Sequence, residues 1–141
     1  MNAITLDFTP SDRIAAEVAR LRATFDSGKT RSLDWRRAQL KGIVRLIDEQ
    51  EEAIIAAVQA DLRKSRIEAY LAEIGLLRAE AKFALKHLNT WARPRKVKTP
   101  MMVQPGKSWL QPEPLGVILD IASWNFPWQH SLQPVIGMLA A

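Results

Sequence analysis

No cysteine occurs among the 141 residues of this chain. That excludes disulfides, thiolate metal sites and any cysteine nucleophile supplied by the polypeptide itself. Histidine is almost as scarce: His87 and His130 are the only two, too far apart in sequence for local metal-ligand spacing, so no metal site is expected. The glycine-rich phosphate patterns G-x-G-x-x-G and the P-loop are missing, as are H-E-x-x-H and G-x-S-x-G. No uninterrupted apolar stretch is long enough to span a bilayer, and the opening "MNAITLDFTPSDR" lacks the basic flank and apolar run of a secretory signal. A cytoplasmic chain without a membrane span is therefore expected. There is no internal repeat and no low-complexity tract.

What is present suits a folded domain: 48% of residues are hydrophobic and 25% charged, enough apolar surface to bury a core. The net charge of +5 is spread among acidic neighbours, whereas a nucleic-acid binder gathers its cations on one face. The one basic run, Arg93, Arg95, Lys96 and Lys98, reads as a solvated linker after a helix end, where cations suit the dipole. No nucleic-acid partner is expected.

Apolar spacing gives the elements. Ile14, Val18, Leu21 and Phe25 predict a first helix with a core-facing stripe, Ser11 as its N-cap and Gly28 as its stop. Ser32 caps a second helix carrying Leu33, Leu40, Ile43, Val44 and Ile47, and the pattern resumes through Ile54, Ile55, Val58 and Leu62. The acidic Asp48–Glu52 cluster between them marks either a break, with a third helix starting there, or a solvent face. The longest periodic segment follows, with Ile67, Leu71, Ile74, Leu77 or Leu76, Ala81, Leu85, Leu88 and Trp91 on one face and His87 exposed. From Arg93 to Gly116 five prolines and a Pro105-Gly106 turn signal predict a hairpin or ribbon. "LGVILDI", Leu115 to Ile121, has the look of a strand buried on both faces, with Asp120 discordant. The expected fold class is predominantly α: helices first, then a β-hairpin and a first strand.

Chemistry concentrates in "SWNFP", Ser123 to Pro127, at the carboxyl end of that strand, where open α/β sheets bind ligands. The Asn125 amide NH2 is a neutral donor able to stabilise a developing oxyanion, a role whose loss costs roughly 2.7 to 4 kcal/mol. The other reading is structural: Asn125 caps or turns the chain before a helix beginning near Trp128, with Pro127 fixing φ at its start. The residues alone leave both open.

The segment "EPLGVILDIASWNFPWQHSLQPVIGMLAA", Glu113 to Ala141, resembles the aldehyde dehydrogenase superfamily, with its apolar strand, W-N-F/Y-P motif and following helix. "FDSGKTRSLDWRRAQLKGIVRLIDEQEEAIIAAVQADLRKS" and "EAYLAEIGLLRAEAKFALKHLNTWARPRKVKTP" resemble the helices of its class 3 branch. The resemblance implies an N-terminal fragment of an α/β aldehyde dehydrogenase fold. Residues 1–98 would form the helical region of the cofactor domain, 99–114 the hairpin of the oligomerisation sheet, and 115–141 the first strand and start of the next helix of the NAD(P)-binding domain. It further implies NAD or NADP as cofactor, an aldehyde as substrate, a carboxylic acid as product and a homodimer as the complete enzyme.

Carried over residue by residue, the resemblance makes Asn125 the oxyanion-hole donor. It lays Ile121, Ala122, Ser123 and Trp124 along the cofactor, and sets Phe126 and His130 on the substrate tunnel. The family's nucleophilic cysteine and general-base glutamate have no counterpart in this chain, so the chain alone is expected to be inactive. Three positions depart from the pattern: Ser123 where Pro or Thr is frequent, and Asp120 and His130 where relatives are apolar. The readings from other classes are a helical interaction module docking on a full-length relative, and a basic nucleic-acid binder.

Overall fold

A computed structural model describes residues 10–141; the opening nine residues lie outside it. Helix α1, Ser11–Asp26, begins directly after Pro10, so Ser11 is its first helical residue and no side chain caps it. The helix stops at Gly28, whose φ of +76° belongs to the left-handed region that glycine enters without a Cβ clash. The expected core-facing stripe is a correction: Ile14, Val18 and Leu21 are exposed, and only Phe25 is half-buried, its ring beside Gly116. Amphipathic spacing makes a helix, but among the described residues no other element packs on this one.

Helix α2, Leu33–Leu62, starts as expected, with the Trp35 N–H donating to Ser32 Oγ at 3.1 Å. It runs without interruption through Asp48–Glu52, so the acidic cluster is a solvent face. Its carboxylates are also tethers. The Arg78 guanidinium donates to Asp48 at 2.7 Å and to Glu51 at 2.6 Å, and Arg66 forks onto Glu52. The bond to Glu51, joined by that to Asp48, holds the Arg78 proton more tightly than in a free guanidinium. Arg78→Ala is expected to lower stability by about 1 kcal/mol, the scale of a partly screened ion-pair network, measurable as a lower urea midpoint at unchanged slope.

Arg63 closes α2 in the left-handed region, φ 58°, and the redirected chain turns Lys64 inward. Ser65 then caps a short helix α3, Arg66–Ala69, accepting from the Glu68 N–H. A π-helical turn, Tyr70–Gly75, leads into α4, Leu76–Ala92. From Ile74, near the end of this turn, the expected face holds through Leu88, with Ile74, Leu77, Ala81 and Leu88 buried and Leu85 half-buried, but Trp91 at its end is exposed. Ile67 before the turn and Leu71 at its start are exposed, and Ala69 is buried. The wider turn accommodates one extra residue, which displaces the face by about 100°. His87 is half-buried rather than exposed, lying between the rings of Phe83 and Trp91.

Strands β1, Arg95–Val97, and β2, Ser108–Leu110, pair antiparallel with Arg95 opposite Leu110 and Val97 opposite Ser108. The ribbon thus begins before residue 99. Its turn is closed by the Gly106 N–H donating to the Val103 carbonyl at 2.8 Å. A Cβ at 106 would lie 2.5 Å from that oxygen, so the turn needs glycine.

The expected strand over 115–121 is not formed: no strand is assigned there, and Leu115, Leu119 and Ile121 are exposed. Strands are held by pairing, and the two-stranded ribbon is the whole sheet among the described residues. The core lies between α2, α4 and the last helix, α5, Pro127–Ala140, which contributes Ile136 and Ala140.

Candidate functional site

Helix α5 opens with Pro127 at its first position, where a missing N–H and a fixed φ are both suited. Phe126 occupies the N-cap position and has no side-chain acceptor to offer. The first-turn N–H groups must therefore be met from elsewhere. Glu73, fully buried in the π-turn, meets them: its Oε2 accepts from Trp128 N at 3.1 Å and Gln129 N at 3.0 Å. Its other oxygen, Oε1, accepts from Lys64 Nζ at 2.7 Å. Lys64, itself buried, also donates to the Asn125 backbone carbonyl at 2.6 Å and sits 3.9 Å from the centre of the Phe126 ring. A buried ion pair with every polar atom engaged thus pins the Asn125–Phe126 turn to the helical body.

Above that anchor the side chains form a second network. Ser123 Oγ donates to Asn125 Oδ1 at 2.7 Å and lies 2.6 Å from His130 Nδ1. The His130 ring rests against Phe126 at 5.5 Å between centres. The Asn125 carbonyl oxygen is tied inward, and no acceptor among the described residues takes its amide NH2. Asn125 is exposed, so a free hydrogen-bond donor faces outward. Asn125 does not cap α5; Glu73 fills that place.

Two clefts flank the turn. Asp120, Ile121, Ser123 and His130 line one of about 560 Å³ together with Glu80 of α4. Trp124, Pro127 and Trp128 line the other, of about 590 Å³, against Val58 and Leu62 of α2. Ser123, Asn125, Phe126 and His130 are brought together, whereas Ile121, Ala122 and Trp124 are exposed and Trp124 turns to the second cleft. No group of three potential metal ligands converges among the described residues. Sequence reasoning missed Lys64 and Glu73. The available signal was the α5 start itself, since "NFPW" supplies a helix N-terminus without an acceptor.

A family model described as the aldehyde dehydrogenase family matches residues 6–141. The chain belongs to the aldehyde dehydrogenase family. Within that family it is 45% identical over 124 residues to aldehyde dehydrogenase family 3 member I1, chloroplastic, of Arabidopsis thaliana, covering 88% of this chain and 22% of that protein. It is 42% identical over 125 residues to aldehyde dehydrogenase family 3 member A2 of Rattus norvegicus, covering 89% of this chain and 26% of the relative. A solved structure described as the substrate-bound state of Staphylococcus aureus AldH superposes with a TM-score of 0.87 at 35% identity, over 90% of this chain and 28% of that one. The chain thus spans about a quarter of the length of the aldehyde dehydrogenases it matches. No described helix is long and apolar enough to cross a membrane.

Proposed function

We propose that this chain supplies the oxyanion-stabilising part of an NAD(P)-dependent aldehyde dehydrogenase that oxidises aldehydes to carboxylic acids, with Asn125 as the donor. The observation that carries the reading is the outward-facing Asn125 amide, whose oxygen is tied to Ser123 while its backbone carbonyl is tied to Lys64. As a nucleophile adds to an aldehyde, the carbonyl oxygen becomes an alkoxide. A preorganised neutral donor meets that charge with no reorganisation and at any protonation state. Phe126 and His130, half-buried beside the turn, form part of the aldehyde's approach. The nucleophile comes from outside these residues, because the chain has no cysteine.

Ile121, Ala122, Ser123 and Trp124 fit one wall of a cofactor site: Ile121 and Trp124 present exposed apolar surface and the backbone there is engaged in no strand. The start of α5 does not fit a phosphate, since Glu73 already occupies its N–H donors, so the NAD(P) phosphates are held elsewhere. When bound, the cofactor supplies a hydride acceptor. The exposed ribbon of β1 and β2 is the proposed contact of a homodimer.

The test is a hybrid in which this chain replaces the matching segment of an active family 3 relative. The hybrid is expected to form NAD(P)H from an aldehyde, and the chain alone to form none. A folded hybrid that retains the relative's cysteine yet shows no turnover would overturn the proposal, as would turnover by the isolated chain.

A further inference from the structure

The Asn125 amide can face the solvent with either end, and only one end is useful. With Nδ2 outward it offers hydrogens to a carbonyl oxygen; with Oδ1 outward it repels one. What selects between the two is a short chain of hydrogen bonds. Ser123 Oγ lies 2.7 Å from the Asn125 amide oxygen and 2.6 Å from His130 Nδ1, and a serine hydroxyl has a single proton to give. If that proton goes to Asn125 Oδ1, then His130 must donate from Nδ1–H to the serine oxygen. If His130 instead carries its proton on Nε2, Nδ1 takes the serine proton. The serine oxygen is then left to accept from Asn125 Nδ2, which turns Oδ1 outward. The histidine tautomer and the amide orientation are one choice, because each bond in the chain fixes the direction of the next.

We propose that Ser123 and His130 are positioning residues that hold the Asn125 amide with its NH2 outward, through His130 Nδ1–H donating to Ser123 Oγ and the Ser123 hydroxyl donating to Asn125 Oδ1. The assignment rests on the reading of Asn125 as oxyanion donor. Both the neutral Nδ1–H form and the doubly protonated ring satisfy it, so the arrangement does not depend on which of these two is present. The groups around the ring are Ser123 and Asp120 from the segment before α5, Glu80 from α4, and Gln129, Gln133 and Phe126 from α5. Lys64 lies against the Phe126 ring. Asp120 and Glu80 share the cleft with His130.

Long-range proton–nitrogen correlation spectra of the nitrogen-15-labelled full chain, recorded over a pH series, read the tautomer directly. The neutral His130 ring is expected as the Nδ1–H form, with Ser123→Ala shifting it to Nε2–H and Ser123→Thr, which keeps the hydroxyl, restoring Nδ1–H. A neutral ring found as Nε2–H in the unmodified chain overturns the proposal, and so does a tautomer indifferent to Ser123→Ala. In the family 3 hybrid, Ser123→Ala and His130→Leu are expected to lower kcat roughly ten- to a hundredfold, the range seen when a partner that orients a functional side chain is lost, with Ser123→Thr retaining it. Should Asn125→Ala collapse kcat while these two variants leave it intact, the positioning role fails alone. Should Asn125→Ala leave kcat intact while the tautomer behaves as expected, the oxyanion reading fails and the hydrogen-bond chain stands.

Discussion

Glu73→Ala is expected to destabilise the chain by about 3–5 kcal/mol, the loss that follows when one partner of a buried ion pair is removed. Three groups lose their acceptor at once: Lys64 Nζ, Trp128 N and Gln129 N. The ammonium is the costliest, since Lys64 is buried and retains only the Asn125 carbonyl and the face of Phe126. Against a total stability of about 5–15 kcal/mol for a typical domain, this one carboxylate decides whether α5 stays docked. Glu73→Gln with Lys64→Met is the informative partner variant. It keeps an acceptor for the two α5 N–H groups and removes the stranded charge, so it is expected to recover most of the loss. Urea unfolding of the three chains, parent, Glu73→Ala and the double variant, checks both outcomes. A Glu73→Ala chain within about 1 kcal/mol of the parent, the scale of an exposed pair, would show that the clamp is not structural.

The second large effect is on rate. In the family 3 hybrid, Asn125→Ala is expected to reduce kcat about a hundred- to a thousandfold while KM changes little, the signature of a donor that acts on the transition state more than on bound substrate. Asn125→Asp separates shape from charge: it keeps the volume and places a carboxylate against the developing alkoxide, so it is expected to do no better than alanine. Equal kcat for the parent and Asn125→Ala would remove Asn125 from the chemistry. A drop confined to KM would make it a substrate-binding group only.

How far the sequence foretold this site depends on the range of the interaction. Three local signals read true, the Ser32 cap of α2, the Pro105-Gly106 turn and Pro127 at the start of α5, each decided by a few neighbouring residues, whereas the Ser11 cap of α1 did not. The placing of Asn125 just ahead of α5 was equally legible, because the turn into a helix carries its own proline and amide chemistry. What stayed hidden involves partners distant in sequence. Glu73 is an ordinary acid in a helical pattern until a helix end some fifty residues later needs an acceptor. Ile67, Leu71, Ile74 and Leu77 follow one another at helical separations of four, three and three residues, and the widened turn that contains Leu71 and Ile74 has no periodicity of its own. The stripe of α1 and the apolar run from Leu115 to Ile121 show the converse. Both have the composition of buried elements, and burial needs a neighbour that composition cannot supply.

The widened turn at Tyr70–Gly75 makes chain length, not side-chain identity, the constraint at this point. Deleting a single residue there would return the segment to ordinary helical geometry and swing Glu73 by about 100° with about 1.5 Å of travel along the axis. The carboxylate would leave the head of α5 although every side chain of the clamp were still present. The same one-residue change among the exposed Met101–Val103 residues of the ribbon turn would displace nothing that touches Asn125. Sensitivity to insertion and deletion in this chain is thus set by rotational phase.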